Sequence, residues 1–278
     1  MIKKLIIICF IVVATATLVF FATRRINLVI IGTDNVEKNS CRADTIIFVS
    51  YKPFTKKLSI LSIPRDTVVE LPYPAISGKR ERIKINAVYM YGYSKAGEKK
   101  GSKLVMDTVS DLLNTRIPFY IHIDYEAFVK TIDLLGGVKV KVANRMKYRD
   151  IAGKLDIDIA PGIHNFNGKK ALEFIRYRSH ELADIGRIAR QQEFIKALIK
   201  KITKEYNIKN IVEITKIMFK YVDTNLIIND TIVFINKVRT IESIKIDILP
   251  GEPIYVKGVS YWYPDYQKVQ QLVKELLN

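Results

Sequence analysis

Asp44-Thr45-Ile46-Ile47-Phe48-Val49-Ser50-Tyr51-Lys52-Pro53-Phe54-Thr55-Lys56-Lys57-Leu58-Ser59-Ile60-Leu61-Ser62-Ile63-Pro64 is the stretch whose reading decides the fold. Two runs rich in β-branched and apolar residues flank a five-residue segment carrying Pro53, so residues 44–51 and 57–64 are expected as strands joined by a turn. Residues 26–32, Ile-Asn-Leu-Val-Ile-Ile-Gly, read as another strand just upstream. The domain is therefore expected to open with a sheet.

Downstream, residues 102–114 place Val105, Val109 and Leu112 at helical spacing, and residues 120–125 read as a strand. A helix over 126–135 is expected to end at Gly136-Gly137, where a left-handed cap needs no side chain. Residues 138–142 alternate Val with Lys139 and Lys141, the pattern of a half-exposed strand. Helices are expected over 167–177, over 184–202 with Asp184 as N-cap, over 211–221 and over 231–241. Residues 245–249 read as a strand, and Pro264 at a first helical position is expected to open a terminal helix ending at residue 277. Residues 70–101, rich in Gly, Pro, Lys and Tyr, read as a long functional loop. Strands and helices mixed without strict alternation predict an α/β or α+β single domain.

Upstream, residues 5–22 are apolar apart from Thr15 and Thr17, with Lys3 and Lys4 before them and Arg24 and Arg25 after. At ~1.5 Å per residue this run just crosses a bilayer core. The expectation is a short cytoplasmic tail and transmembrane anchor over 1–25, with 26–278 outside the cytoplasm. A cleaved signal peptide is the rival, since Ala14-Thr15-Ala16 has the form of a cleavage site, but the apolar run continues past it. Cys9 lies in the apolar run and Cys41 outside it, so no intramolecular disulfide is expected.

The 278 residues are 49% hydrophobic and carry a formal charge of +17, enough for a large core and a surface or site that meets anions. His122, His164 and His180 are isolated and lack metal-ligand spacing. No G-x-S-x-G turn is present. Residues 162–169 have one residue too many for a P-loop, and Lys170 stands where Ser or Thr is needed, which disfavours nucleotide hydrolysis. What remains is a set of charges at element boundaries: Asp34 after the first strand, Arg42 and Asp44 entering the second, and Arg65-Asp66 leaving the third. A second set comprises Arg176 and Arg178, then Arg187, Arg190 and Gln191, whose i, i+3, i+4 spacing puts them on one helix face. Two readings stay open on spacing alone. These charges form surface ion pairs, or the guanidiniums clamp a pyrophosphate while two carboxylates hold Mg²⁺ against its oxygens.

Ile31-Gly32-Thr33-Asp34, Arg42-Ala43-Asp44-Thr45-Ile46, Leu61-Ser62-Ile63-Pro64-Arg65-Asp66-Thr67, Lys84-Ile85-Asn86-Ala87, Leu134-Leu135-Gly136-Gly137-Val138, Phe174-Ile175-Arg176-Tyr177-Arg178 and Gly186-Arg187-Ile188-Ala189-Arg190-Gln191-Gln192 follow one another in the order and spacing of the LytR-CpsA-Psr family, which the chain resembles over residues 28–200. The resemblance implies an α-β-α layered single domain with a mixed central sheet, an apolar pocket for a polyprenyl chain and a mouth for its pyrophosphate. It implies that Arg42, Arg65, Arg176, Arg178, Arg187 and Gln191 meet the phosphates, Arg190 being grouped with them by its helical spacing. It also implies that Asp34 and Asp44 are associated with Mg²⁺ or Mn²⁺. The implied chemistry is phosphoryl transfer: an acceptor sugar hydroxyl attacks the sugar-proximal phosphate and lipid phosphate leaves, with Asp34, Asp44 and Arg65 as the catalytic candidates and Asp44 as the proton acceptor. The implied partners are a polyprenyl-pyrophosphate-linked glycan, a peptidoglycan or other cell-wall acceptor and membrane lipid, with no nucleic acid. Residues 179–185 lack the glycine the family often has before its aspartate, so Asp184 is not carried over. A pyrophosphatase or a non-catalytic lipid-phosphate binder would use the same arginines. A membrane-linked transcriptional regulator is disfavoured because no base-reading recognition helix is evident.

Overall fold

The computed structural model describes residues 25–34, 41–72, 81–150, 155–177, 183–205, 212, 215, 216, 219–227 and 239–278, with side chains in the long helix from residue 185 onward. In chain order the elements are β1 (Ile26–Thr33), β2 (Ala43–Lys52), β3 (Lys57–Ile63), β4 (Val68–Glu70), β5 (Arg82–Lys84), α1 (Ile85–Ala96), α2 (Glu98–Leu112), β6 (Phe119–Ile123), α3 (Tyr125–Leu134) and β7 (Val138–Val142). They continue with β8 (Met146–Asp150), β9 (Leu155–Ile159), β10 (Gly162–Phe166), α4 (Gly168–Arg176), α5 (Ala183–Glu205), β11 (Asp223–Thr224), β12 (Ser243–Ile248), β13 (Gly251–Val256), β14 (Val259–Pro264) and α6 (Tyr266–Leu277).

The expected opening meander forms. β1 pairs antiparallel with β2, and β2 with β3, Ile31 opposite Ile46 and Ile46 opposite Ile63. Parallel β6 joins β1 and parallel β12 joins β3, giving a mixed sheet in the order β11-β6-β1-β2-β3-β12. Successive side chains of a strand point to opposite faces, and here both faces are apolar. Val29, Ile31, Phe48 and Leu61 pack against Val88, Val105 and Val109 of α1 and α2 and Val273 of α6. Leu28, Ile47, Val49 and Ile60 pack on the other face with Ile195 and Ile199 of α5. The result is three layers, helix on sheet on helix. A satellite core lies beside them, where Val138, Val140, Ile157 and Phe166 from the small strand pairs meet Phe174 and Phe194 from α4 and α5.

Two local expectations are corrected. Residues 70–101 are not one long loop: β4 and β5 pair, and α1 follows. The glycine content that suggested a loop serves helix packing instead. A Cβ on Gly92 would stand 2.8 Å from the Gly101 Cα, and one on Gly101 would stand 2.8 Å from the Tyr89 carbonyl oxygen, so α1 and α2 approach backbone to backbone. Pro264 closes β14 rather than opening a helix; Asp265 caps α6 through the Lys268 N–H at 3.1 Å. The two-stranded pairs β8-β9 and β13-β14 were not anticipated. Gly136 and Gly137 do take positive φ, 66° and 83°, after α3. The helices expected over 211–221 and 231–241 fall largely outside the described residues. So do the apolar run 5–22, Cys9 and His180. No helix among the described residues is long and apolar enough to cross a membrane.

His122 on β6 is buried, its Nε2 2.9 Å from the Thr33 Oγ1 and its ring 4.9 Å from that of Tyr89. Burial pushes its pKa below the ordinary 6.5, while the charge of Asp223, opposite it on β11, acts the other way. The unfolded chain therefore takes up a proton that the folded chain refuses. The stabilisation is complete above pH 6.5 and is lost as pH falls below it toward the folded value. Urea midpoints are expected to fall between pH 7.5 and 5.5, and His122→Gln should flatten that dependence. An equal slope in the variant would exclude this origin.

Candidate functional site

A meander fixes where strand ends lie. The end of β1, the start of β2 and the end of β3 share one edge of the sheet, and parallel β6 ends there too. This brings together Asp34, Asp44, Arg65 and the start of α3. Asp124, following β6, caps α3 by accepting the Ala127 N–H at 2.7 Å. The N-terminal half of α5 and the end of α4 complete the ring.

Asp44 and Thr45 are held from two sides. Arg65 Nη1 donates to Asp44 Oδ1 at 3.0 Å, Arg187 Nη2 to the Asp44 carbonyl oxygen at 3.2 Å, and Gln191 Nε2 to Thr45 Oγ1 at 3.0 Å. The Arg65–Asp44 pair is only partly buried, about a fifth exposed on each side. Arg187 is charged yet only 5% exposed. Arg176 places its guanidinium 4.6 Å from the centre of the Tyr125 ring. Asp34 Oδ1 accepts a long 3.4 Å bond from the Arg42 amide, and Arg42 itself is exposed. Burial pushes the Asp34 carboxyl up; the Arg42 amide opposes this, the Asp44 charge adds to it and the Arg176 charge opposes it.

Behind this ring lies a cavity of about 230 Å³ between the sheet and α3, α4 and α5. Asp44, Arg176, Arg187 and Gln191 line its polar end. Phe128, Ile132, Leu172, Phe194, Ile195 and Leu198 line its apolar interior. Thus a charged mouth opens on an apolar pocket, an arrangement suited to an amphiphile with an anionic head.

Arg190 does not join the ring. Its Nη2 donates to the Tyr177 carbonyl oxygen at 2.5 Å, its guanidinium lies 4.9 Å from the Tyr177 ring, and it lines a second, open groove. The one-face expectation is corrected here. At ~100° per residue, Gln191 and Arg190 lie on opposite sides of Arg187, about 100° apart. α5 is a wall between the two spaces. Arg178 and the Asp184 side chain lie outside the described residues. Sequence reasoning missed Tyr125, Thr45 and the apolar part of the pocket lining. Tyr125 reads from sequence as the last residue of a strand, which instead stops at Ile123, with Tyr125 opening α3; the apolar lining residues read as ordinary core.

Residues 16–278 match the LytR_cpsA_psr family, and the chain belongs to that family. It is 30% identical over 262 residues to the polyisoprenyl-teichoic acid–peptidoglycan teichoic acid transferase TagU of Bacillus subtilis, covering 90% of this chain and 76% of that protein. The crystal structure of B. subtilis TagV superposes with a TM-score of 0.75 at 27% identity, covering 92% of this chain and 98% of that one. TagT bound to LIIa-WTA superposes with a TM-score of 0.72 at 25% identity, covering 92% and 91%.

Proposed function

We propose that this chain is a phosphotransferase that moves a glycopolymer from a polyprenyl-pyrophosphate carrier to a sugar hydroxyl of peptidoglycan. One observation carries the reading: an apolar cavity whose mouth is ringed by Arg176, Arg187, Gln191 and the Arg65–Asp44 pair. The naming of TagU as a teichoic acid transferase supports it. The polyprenyl chain occupies the apolar interior, and the guanidiniums fork onto pyrophosphate oxygens. Arg42 and Arg178, assigned from sequence, belong to the same phosphate set, and Arg190 borders it. The acceptor hydroxyl attacks the sugar-proximal phosphorus, the bond from that phosphorus to the bridging oxygen breaks, and lipid monophosphate leaves. Asp44, held by Arg65 beside the mouth, takes the hydroxyl proton. The arginines stabilise the charge that accumulates on the transferring phosphoryl group.

Asp34 and Asp44 fit Mg²⁺ or Mn²⁺. Among the described residues no three His, Cys, Asp or Glu side chains cluster as a metal cage, but Mg²⁺ takes one or two carboxylates and completes its shell with substrate phosphates and water. Burial and the neighbouring Asp44 charge both disfavour the ionised form of Asp34, a cost that a divalent cation would relieve. Bound there, the ion would neutralise pyrophosphate oxygens. Residues 5–22 would anchor the chain in the membrane that holds the lipid substrate, with 26–278 outside the cytoplasm.

The test is product analysis with the full-length chain, a polyprenyl-pyrophosphate glycan and a peptidoglycan oligosaccharide, across a Mg²⁺ titration. The expected products are a phosphodiester-linked conjugate and lipid monophosphate. Phosphate-terminated glycan without conjugate would instead mean a pyrophosphatase, and no product a binder. Asp34→Asn is expected to lower transfer by about 100-fold, the scale of losing one charge-stabilising group at a reaction centre. Its melting temperature should hold or rise. The burial cost of the raised carboxyl is absent below the unfolded value of 3.8, grows above it and is complete above the folded value, so at neutral pH the amide removes it. Wild-type transfer by a folded variant under chelation would overturn the metal assignment.

A further inference from the structure

On the side of α5 away from the pocket runs an open groove of about 760 Å³, walled by β7 and α5. The strand alternation noted in the sequence explains its chemistry. Val138, Val140 and Val142 turn into the satellite core, which leaves Lys139 and Lys141 on the outer face. Lys139, Lys141, Arg145, Arg190 and Lys196 all line the groove, and Glu193 is the one carboxylate among its described lining residues. Arg145 is forked onto Asp158, at 2.9 and 2.7 Å. Lys139, Lys141 and Lys196 make no ion pair among the described residues.

Other exposed lysines, such as Lys200 and Lys257, also make no ion pair among the described residues, so what sets these three apart is their convergence with Arg145 and Arg190 on one concave strip. Such a strip raises the local concentration of a polyanion. Lysines suit this better than arginines do, because a flexible point charge tolerates any register of a repeating ligand.

The groove also begins where the mouth ends. Arg176 lines the pocket and the next residue, Tyr177, lines the groove. Arg187 lines the pocket and Arg190, less than one turn on, lines the groove. A chain joined to the sugar-proximal phosphate has to pass around only the width of one helix, ~10–12 Å, to reach it.

We propose that this groove binds the anionic backbone of the donor glycopolymer, with phosphodiester or carboxylate groups in its repeats, as that backbone leaves the pyrophosphate mouth. The inference rests on the phosphotransferase reading and adds to it a second contact surface, outside the pyrophosphate mouth, for the polymer itself.

The test uses the full-length chain in detergent, a carrier-free poly(glycerol phosphate) oligomer, a dextran oligomer of similar length and carboxylate-bearing peptidoglycan strands. The Lys139→Glu/Lys141→Glu and Lys196→Glu variants are compared with the unaltered protein, and Lys139→Gln/Lys141→Gln serves as a milder control of folding. The expected result is a roughly tenfold weaker poly(glycerol phosphate) affinity in the charge-reversed variants and a shallower salt dependence, since fewer counterions are exchanged. Affinity for a polyprenyl pyrophosphate that bears no polymer should not change. Equal poly(glycerol phosphate) binding in folded variants would overturn the inference, as would dextran binding as tightly. Lysine-dependent binding of peptidoglycan strands alone would overturn the donor assignment in favour of the acceptor. Failure of the unaltered protein to bind the polymer-free lipid would be a failure of the phosphotransferase reading, separate from the groove.

Discussion

Arg176→Ala is expected to lower kcat/KM for the lipid-linked donor by about 100- to 1000-fold while changing stability by no more than about 2 kcal/mol. Charge-assisted hydrogen bonds are worth roughly 1.5–3 kcal/mol each, and a guanidinium fork onto a phosphate makes two. Two such bonds at the lower end of that range sum to about 3–4 kcal/mol, which corresponds to that factor. The stability cost is modest because the contact described for Arg176 is the face of Tyr125 at 4.6 Å, and a half-buried cation–π contact contributes about 1–2 kcal/mol. This makes Arg176 a cleaner probe than Arg65, whose removal would also strip the partner from Asp44. Arg176→Lys should recover only part of the loss, since an ammonium cannot fork. Unchanged kcat/KM in a folded Arg176→Ala variant would return the residue to an ordinary surface role.

The second large effect concerns the depth of the pocket. Gln191 stands at the polar end and Leu198 lines the apolar interior seven residues further along α5, about 10 Å at the helical rise. Leu198→Trp is expected to fill that deep end, abolish co-purification of long polyprenyl phosphates and cut transfer from a long-chain donor by more than about 100-fold. Overpacking should destabilise the fold by about 1–3 kcal/mol. A donor with a ten-carbon tail should be turned over by the variant nearly as well as by the unaltered protein. Mass spectrometry of bound lipid and transfer rates against chain length measure both effects. Equal loss for short and long tails would mean that the cavity does not gauge the carrier.

The sheet was legible because a strand buried on both faces spells itself out as a short run dominated by apolar residues, as 44–51 and 57–64 do. The charged residues at its edge were legible for the same reason: Asp34, Asp44 and Arg65 stand where such runs begin and end. Other features depend on pairs of residues far apart. Gly92 looks like a turn residue until Gly101 is placed against it. Phe128, Leu172 and Leu198 belong to three different helices, and nothing local distinguishes a side chain facing a cavity from one facing a neighbour. The position of Arg190 was misread because helical spacing gives angles between side chains but not where the wall between two spaces falls.

The separations along the chain within the mouth also set an order of assembly. Asp44 and Arg65 are 21 residues apart and joined by a hairpin, whereas Arg187 meets Asp44 across 143 residues. Closing the longer loop costs about 1.7 kcal/mol more entropy. The anion-binding edge is thus favoured to form early, on the sheet, and the lipid cavity only when α5 docks. As the chain emerges from its N-terminal end, α5 appears well over a hundred residues after β2, so for that interval the chain carries Asp34, Arg42, Asp44 and Arg65 without Arg187, Gln191 or the apolar chamber behind them. A chain caught at that stage would bind pyrophosphate weakly and expose Ile47 and Val49 of β2, which marks the docking of α5 as the step on which protection from aggregation depends.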